Sequence, residues 1–129
     1  MKKQCIAVDT VPTVGPYSQA VEAGPFVFCS GQIPLDPRTG TFITDDIGAA
    51  TEQVLRNLQT ILAAAGLGLE HVVKTTIFLR QMEDFPVVND VYGRYFPQNY
   101  PARSTVQVAG LPKDVPVEID AIAVRPDRS

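Results

Sequence analysis

The stretch Val117-Glu118-Ile119-Asp120-Ala121-Ile122-Ala123-Val124 decides the fold. Its β-branched and small apolar residues read as a strand. Val117, Ile119, Ala121 and Ala123 point one way; Ile122 and Val124 point the other, beside Glu118 and Asp120. Apolar residues on both sides predict a sheet buried on both faces, one under helices and the other against further subunits. A glutamate in such surroundings is costly unless it is paired or used.

Just upstream, Pro101-Ala102-Arg103-Ser104-Thr105-Val106-Gln107-Val108 predicts a strand over 104–108 with one arginine at its mouth, and Leu111 to Pro116 is the link between the two strands. Val72 to Leu79, rich in β-branched residues, is a further strand. Met82 to Tyr95 reads as a helix with Pro86 near its first turn and Phe85, Val88, Val91, Tyr92 and Tyr95 facing inward. Another helix starts at Thr44, Asp45 or Asp46 and stops at Gly66; Ile47, Val54, Leu55, Leu58, Ile61, Leu62 and Ala65 form its apolar face. Tyr17 to Glu22 and Phe26 to Ser30 predict a hairpin, Gln4 to Val8 a short strand, Val11 to Pro16 a loop and Asp36 to Gly40 a turn. The order ββ(β)-α-β-α-β-β calls for two strand-helix-strand crossovers. The expected class is α+β: one domain, 1–129, with two helices covering one face of a mixed sheet.

The chain has 129 residues, 45% apolar and 19% charged, which suits one domain with a packed core. The net charge is -3 and no run of Lys or Arg forms a stripe, so nucleic acid is not an expected partner. No apolar run reaches bilayer length and the start has no signal-peptide core, so the expected setting is cytoplasmic, without a membrane partner. Cys5 and Cys29 lack metal-like spacing and are expected as two buried thiols.

Arg103 has two readings: a bidentate anchor for a carboxylate, or an internal salt bridge to Glu118 or Asp120. Glu118 either holds water and moves a proton or belongs to that structural pair. A simple hairpin of the last two strands would set Arg103 near Ile122, so convergence with Glu118 needs another strand order or a second chain. At Ser30-Gly31 the glycine permits close approach of a ligand to backbone N–H groups; an ordinary strand end is the other reading. Tyr17 offers its hydroxyl to a ligand or packs at an interface. Asn89, a poor helix former inside a helix, caps a neighbouring loop or contacts a ligand. Thr105 shares a strand face with Arg103 and is a wall residue. His71 lacks a triad partner and reads as a surface residue. No His/Cys cluster suits zinc, and Gly66-Leu67-Gly68 is not a dinucleotide fingerprint. Chemistry here falls to carboxylate, hydroxyl, guanidinium, backbone and water.

Taken together and in order, four segments resemble the RidA family, also called YjgF/YER057c/UK114: Gly15-Pro16-Tyr17-Ser18-Gln19-Ala20; Ser30-Gly31-Gln32-Ile33-Pro34 with Asp36-Pro37 and Thr39-Gly40; Asn57-Leu58; and Pro101-Ala102-Arg103-Ser104 through Val117-Glu118-Ile119. The resemblance implies a chorismate-mutase-like fold, a homotrimer with clefts between subunits, and a last strand inserted between earlier ones. It implies a cofactor-free, metal-free deaminase that hydrolyses enamine/imine intermediates, such as 2-aminoacrylate and 2-aminocrotonate, to 2-ketoacids and ammonia. By position, Arg103 is then the carboxylate anchor and Glu118 the holder of water. Ser30 and Gly31 form a ligand-contacting edge, Tyr17 enters from the adjacent subunit, and Asn89 lies at the cleft. Thr105 stands where many bacterial members have cysteine. The rival functions are a non-catalytic 2-ketoacid-binding regulatory trimer and an endoribonuclease or translation inhibitor; the acidic balance and lone histidine count against the latter.

Overall fold

Ala20–Ala23 (β2) and Phe26–Gln32 (β3) form an antiparallel hairpin, and Lys3–Ile6 (β1) pairs with the outer edge of β2. The computed structural model describes residues 2–11, 13 and 15–126. Residues 12 and 14 of the expected Val11–Pro16 loop lie outside that set. The strand expected from Tyr17 begins only at Ala20, because the preceding residues bond elsewhere. The Gln19 amide donates to the Val8 carbonyl, and the Ser18 carbonyl accepts from the Ser30 hydroxyl at 2.6 Å.

After β3, Leu35–Asp36 (β4) and Thr41–Phe42 (β5) make a small ribbon around the expected turn. Ile47–Ala64 (α1) follows, capped by Asp46, whose side chain accepts from the Ala49 N–H at 3.0 Å. Gly66, at φ 77°, ends it in the left-handed conformation that favours glycine. Val72–Leu79 (β6) leads through a 3₁₀ turn at Met82–Asp84 into Phe85–Tyr95 (α2), then into Ala102–Gln107 (β7), a second 3₁₀ turn at Pro112–Asp114, and Val117–Val124 (β8).

The six-stranded sheet has the order β1-β2-β3-β8-β6-β7. β8 runs antiparallel to both β3 and β6, and β7 is the parallel edge partner of β6. The last strand is thus inserted between earlier ones, and β6 separates it from β7. Val27 and Cys29 of β3, Ile77 and Leu79 of β6, and Val117, Ile119, Ala121 and Ala123 of β8 are buried with the helices. From α1 come Val54, Leu55, Leu58, Ile61 and Leu62; from α2 come Val88, Val91 and Tyr92. The two expected inward residues at the ends of α2, Phe85 and Tyr95, are only partly buried.

The other face of the sheet is apolar and open in the single chain. Phe26 and Phe28 are 42% and 44% exposed, and Ile122 and Val124 beside them are half-buried. Among the described residues no helix is long and apolar enough to cross a membrane. Of the two thiols expected to be buried, only Cys29 is; Cys5 is exposed on the outermost strand, where no neighbour covers it.

One buried amide ties α1 to the chain leaving β3. Asn57, 2% exposed, donates from Nδ2 to the carbonyls of Leu35 (3.0 Å) and Ile33 (3.3 Å) and accepts from Gln53 Nε2 at 2.9 Å. Asn57→Leu keeps the volume and leaves those carbonyls without a donor. It is expected to cost about 1–3 kcal/mol in urea unfolding, with the m-value unchanged. Unaltered stability would contradict this anchoring role.

Candidate active site

Arg103 lies within β7, not at its mouth, because pairing with β6 starts at Ala102. Its partner across the ladder is Thr75, which is fully buried on the helix side. Arg103 therefore points along the same face, toward α2. One Nη1–H donates to Asn89 Oδ1 at 2.8 Å, and the guanidinium carbon lies 5.0 Å from the Tyr92 ring centroid and 5.4 Å from that of Phe85. Among the described residues it makes no ion pair. A cavity of about 450 Å³ opens beside it, walled by Asn89, Tyr92, Gly93, Phe96, Tyr100 and Pro101. Asn89 thus holds the arginine instead of capping a loop. Thr105, two residues along the same face and paired with Ile77, carries a buried hydroxyl with no hydrogen-bond partner.

Glu118 occupies a different setting. The β3–β8 register slips between Cys29 and Gln32, so Ser30 and Gly31 together face the space of one partner residue. That partner is Asp120, and the Glu118 carboxyl, on the same side of β8, lies against Gly31. A Cβ on Gly31 would come within 2.8 Å of Glu118 Cδ and closer still to its oxygen, so any side chain there would push the carboxyl out of this position. The expected close approach to Gly31 is therefore made by this carboxyl. Nor is the Ser30 N–H free, since it donates to Gln19 O at 2.9 Å. Tyr17, Ser30, Gly31, Ile33, Pro112 and Glu118 line a cavity of about 290 Å³. Burial first, and the neighbouring Asp120 second, raise the Glu118 pKa above the usual 4.5. Glu118 has no hydrogen-bond or ion-pair partner among the described residues.

The two charges stand on opposite faces of one sheet. Arg103 pairs with Thr75, Glu118 pairs with Phe78, and three residues along β6 reverse the side. Insertion of β8 between β3 and β6 was expected to resolve their separation; it occurs, and it leaves them apart within the chain. The internal Arg103–Glu118 salt bridge is excluded for the same reason. Asp120, the other salt-bridge candidate, instead accepts from the Thr76 N–H at 3.1 Å. His71 caps a turn, its Nδ1 accepting from the Gly68 N–H at 3.0 Å. Among the described residues no group of three or more His, Cys, Asp or Glu could hold a metal ion.

The family model described as Endoribonuclease L-PSP matches residues 8–125. The chain belongs to the RidA/YjgF/L-PSP family. A RidA relative from Salmonella typhimurium, named 2-iminobutanoate/2-iminopropanoate deaminase, is 48% identical over 124 residues, covering 93% of this chain and 96% of the relative. The crystal structure of the YjgF gene product from E. coli is 45% identical with a TM-score of 0.89, covering 95% of this chain and 98% of that one. E. coli TdcF with bound serine is 44% identical with a TM-score of 0.89 and the same coverage. The RidA fold is thus the chorismate-mutase-like α+β architecture expected from the sequence.

The sequence analysis does not single out several residues around the two cavities, among them Phe85, Tyr92, Thr75 and Pro112. Phe85 and Tyr92 were assigned to the core by helical periodicity, which does not distinguish a ring under an arginine from a ring under a leucine. Thr75 carries only a strand signal, and Pro112 lies in the Leu111–Pro116 segment read only as a link. In this RidA-family chain the Glu118 pKa supplies a direct check. Replacing Asp120 with asparagine removes a like charge, so Glu118 should then titrate at lower pH, as followed by its side-chain ¹³C carboxyl shift. An unchanged or higher titration point would contradict the coupling.

Proposed function

We propose that this protein hydrolyses 2-imino acids, the tautomers of 2-aminoacrylate and 2-aminocrotonate, to 2-ketoacids and ammonia. One observation carries the reading: neither Arg103 nor Glu118 has an ion-pair partner among the described residues, each sits in its own cavity, and the cavities lie on opposite faces of the sheet. Two such half-sites meet when chains associate. The apolar outer face gives a reason for association, because Phe26, Phe28, Ile122 and Val124 lose water in it. In the proposed homotrimer Arg103, Asn89 and Thr105 of one subunit face Tyr17, Ser30, Gly31 and Glu118 of the next. Tyr17 then arrives with Glu118, since both line one cavity. The names of the relatives support the chemistry: an iminobutanoate deaminase, and a protein crystallised with serine, a small amino acid.

The free edge of the Arg103 guanidinium binds the substrate carboxylate through paired N–H donors. Holding the imine in place replaces a loose encounter by a fixed geometry. Glu118, as the carboxylate, accepts a hydrogen bond from water and takes its proton as the oxygen adds to the imine carbon. Glu118 then returns that proton to the nitrogen of the carbinolamine; the C–N bond breaks, ammonia leaves, and the hydroxyl proton passes to the Glu118 carboxylate or to water as the carbonyl of the 2-ketoacid forms. No cofactor enters this sequence. Its raised pKa makes Glu118 a better proton acceptor than an ordinary carboxylate, and protonation would switch it off over a range beginning above 4.5. Acidification through that range is expected to lower kcat/KM.

A serine or threonine dehydratase that generates the imine in situ tests the reading. Wild-type protein should accelerate ketoacid appearance, and Arg103→Ala should lose about tenfold or more of that acceleration, the worth of a charge-assisted anchor. Mixing and reassembling Arg103→Ala with Glu118→Gln chains should restore activity, because about one junction in four of a random trimer joins two intact halves. Unchanged imine decay with wild-type protein rejects the enzyme. Saturable, Arg103-dependent ketoacid binding without turnover would favour a regulatory trimer instead.

A further inference from the structure

The anchor itself needs holding. Arginine carries a flexible stem, and a carboxylate is gripped well only when the planar fork is presented in one orientation. Arg103 sits on the edge strand and is exposed, so the sheet alone does not fix it. An acidic partner would fix it but would also cancel the charge that a ligand carboxylate requires. The chain uses neutral groups instead. Asn89 takes one N–H of Nη1, and the Phe85 and Tyr92 rings both come within the range of cation–π attraction.

Of these, Tyr92 is the most constrained. It is 4% exposed, its ring packs on Phe96 with centroids 4.5 Å apart, and its hydroxyl meets the Thr75 hydroxyl at 2.7 Å. Thr75 is fully buried and is the ladder partner of Arg103 itself. A closed circuit results: the Arg103 backbone is registered against Thr75, Thr75 fixes the far end of the Tyr92 ring, and that ring carries the Arg103 guanidinium. We propose that Tyr92, keyed by Thr75 and assisted by Phe85, is a positioning slot that aims the unpaired edge of Arg103 at the ligand carboxylate. This rests on the reading of Arg103 as carboxylate anchor and adds the device that makes the anchor rigid. Tyr92 and Thr75 are positioning residues; neither touches the reacting atoms.

A tyrosine that merely fills the core would affect stability alone, whereas a slot affects ligand affinity. The probe is 2-oxobutanoate, its dissociation constant measured by calorimetry on the intact oligomer, with KM and kcat from the dehydratase-coupled assay. Tyr92→Leu removes the π face and should weaken 2-oxobutanoate binding about tenfold, raising KM in step and leaving kcat within about twofold. Tyr92→Phe and Thr75→Val should each weaken binding by a smaller factor, because each leaves one buried hydroxyl without its partner. The double variant should recover affinity, since two matched apolar groups can replace a hydroxyl pair. Phe85→Leu, at the half-buried first turn of α2, tests the slot should Tyr92→Leu fail to fold, and should weaken binding about threefold. Wild-type affinity in Tyr92→Leu and Phe85→Leu, with binding abolished in Arg103→Ala, would overturn the slot and leave the anchor standing. Wild-type affinity in Arg103→Ala would overturn the anchor, and the slot with it.

Discussion

Side chains on a strand alternate faces, and that alternation along β6 governs the molecule's chemistry. Thr75 carries Arg103 to the helix side, while Phe78 carries Glu118 to the other. The separation follows from inserting β8 between β3 and β6 and leaving β7 at the edge. A guanidinium and a carboxylate that neighboured each other in one chain would neutralise each other. Held on opposite faces, the two do not pair within the chain.

Neither group has an oppositely charged partner among the described residues. Arg103 is braced by an amide oxygen and two aromatic faces, which orient it without pairing it. Glu118 is half-buried, has an acidic neighbour two residues along its own strand, and takes up space that a side chain at Gly31 would contest. The link before β8 shows a related expense. Lys113 and Asp114 both adopt left-handed backbone, at φ 57° and 56°, where such residues cost about 1–3 kcal/mol each. Arg80 bonds the Asp114 carbonyl at 2.6 Å and its carboxylate at 3.3 Å, steadying the turn that sets Pro112 against the Glu118 cavity. Strain and unpaired charge collect around the two cavities, while the core behind them is regular.

Much of this was legible before any coordinates. The period of 3.6 in residues 47–65 marks the buried face of α1, and the two-sided apolar pattern of residues 117–124 predicts a sheet apolar on both faces, the outer of which lies open in the single chain; the central place of that strand comes from the family resemblance alone. The crossover count required a mixed sheet. Register was not legible, because the pairing partner of Arg103 is set by tertiary packing and not by its neighbours in the chain. The sequence accordingly reads Arg103 as standing at a strand mouth; of its two readings of Asn89, a loop cap or a cleft residue, the structure sets Asn89 in the wall of the cavity beside Arg103, where it holds the guanidinium. The glycine at position 31 was noticed for the right physical reason, the need for close approach, but the approaching group is Glu118. Spacing shows that two residues are special; it does not show on which side of a sheet each will stand.

The central claim is that one ligand carboxylate joins Arg103 of one chain to the Glu118 cavity of another. A crystal structure of the protein soaked with 2-oxobutanoate tests it most directly. The account predicts the carboxylate on the free edge of Arg103, with the keto carbon within one water of Glu118 from a neighbouring chain. A ligand bound away from Arg103, or an assembly in which no neighbour's Glu118 approaches it, would contradict the account.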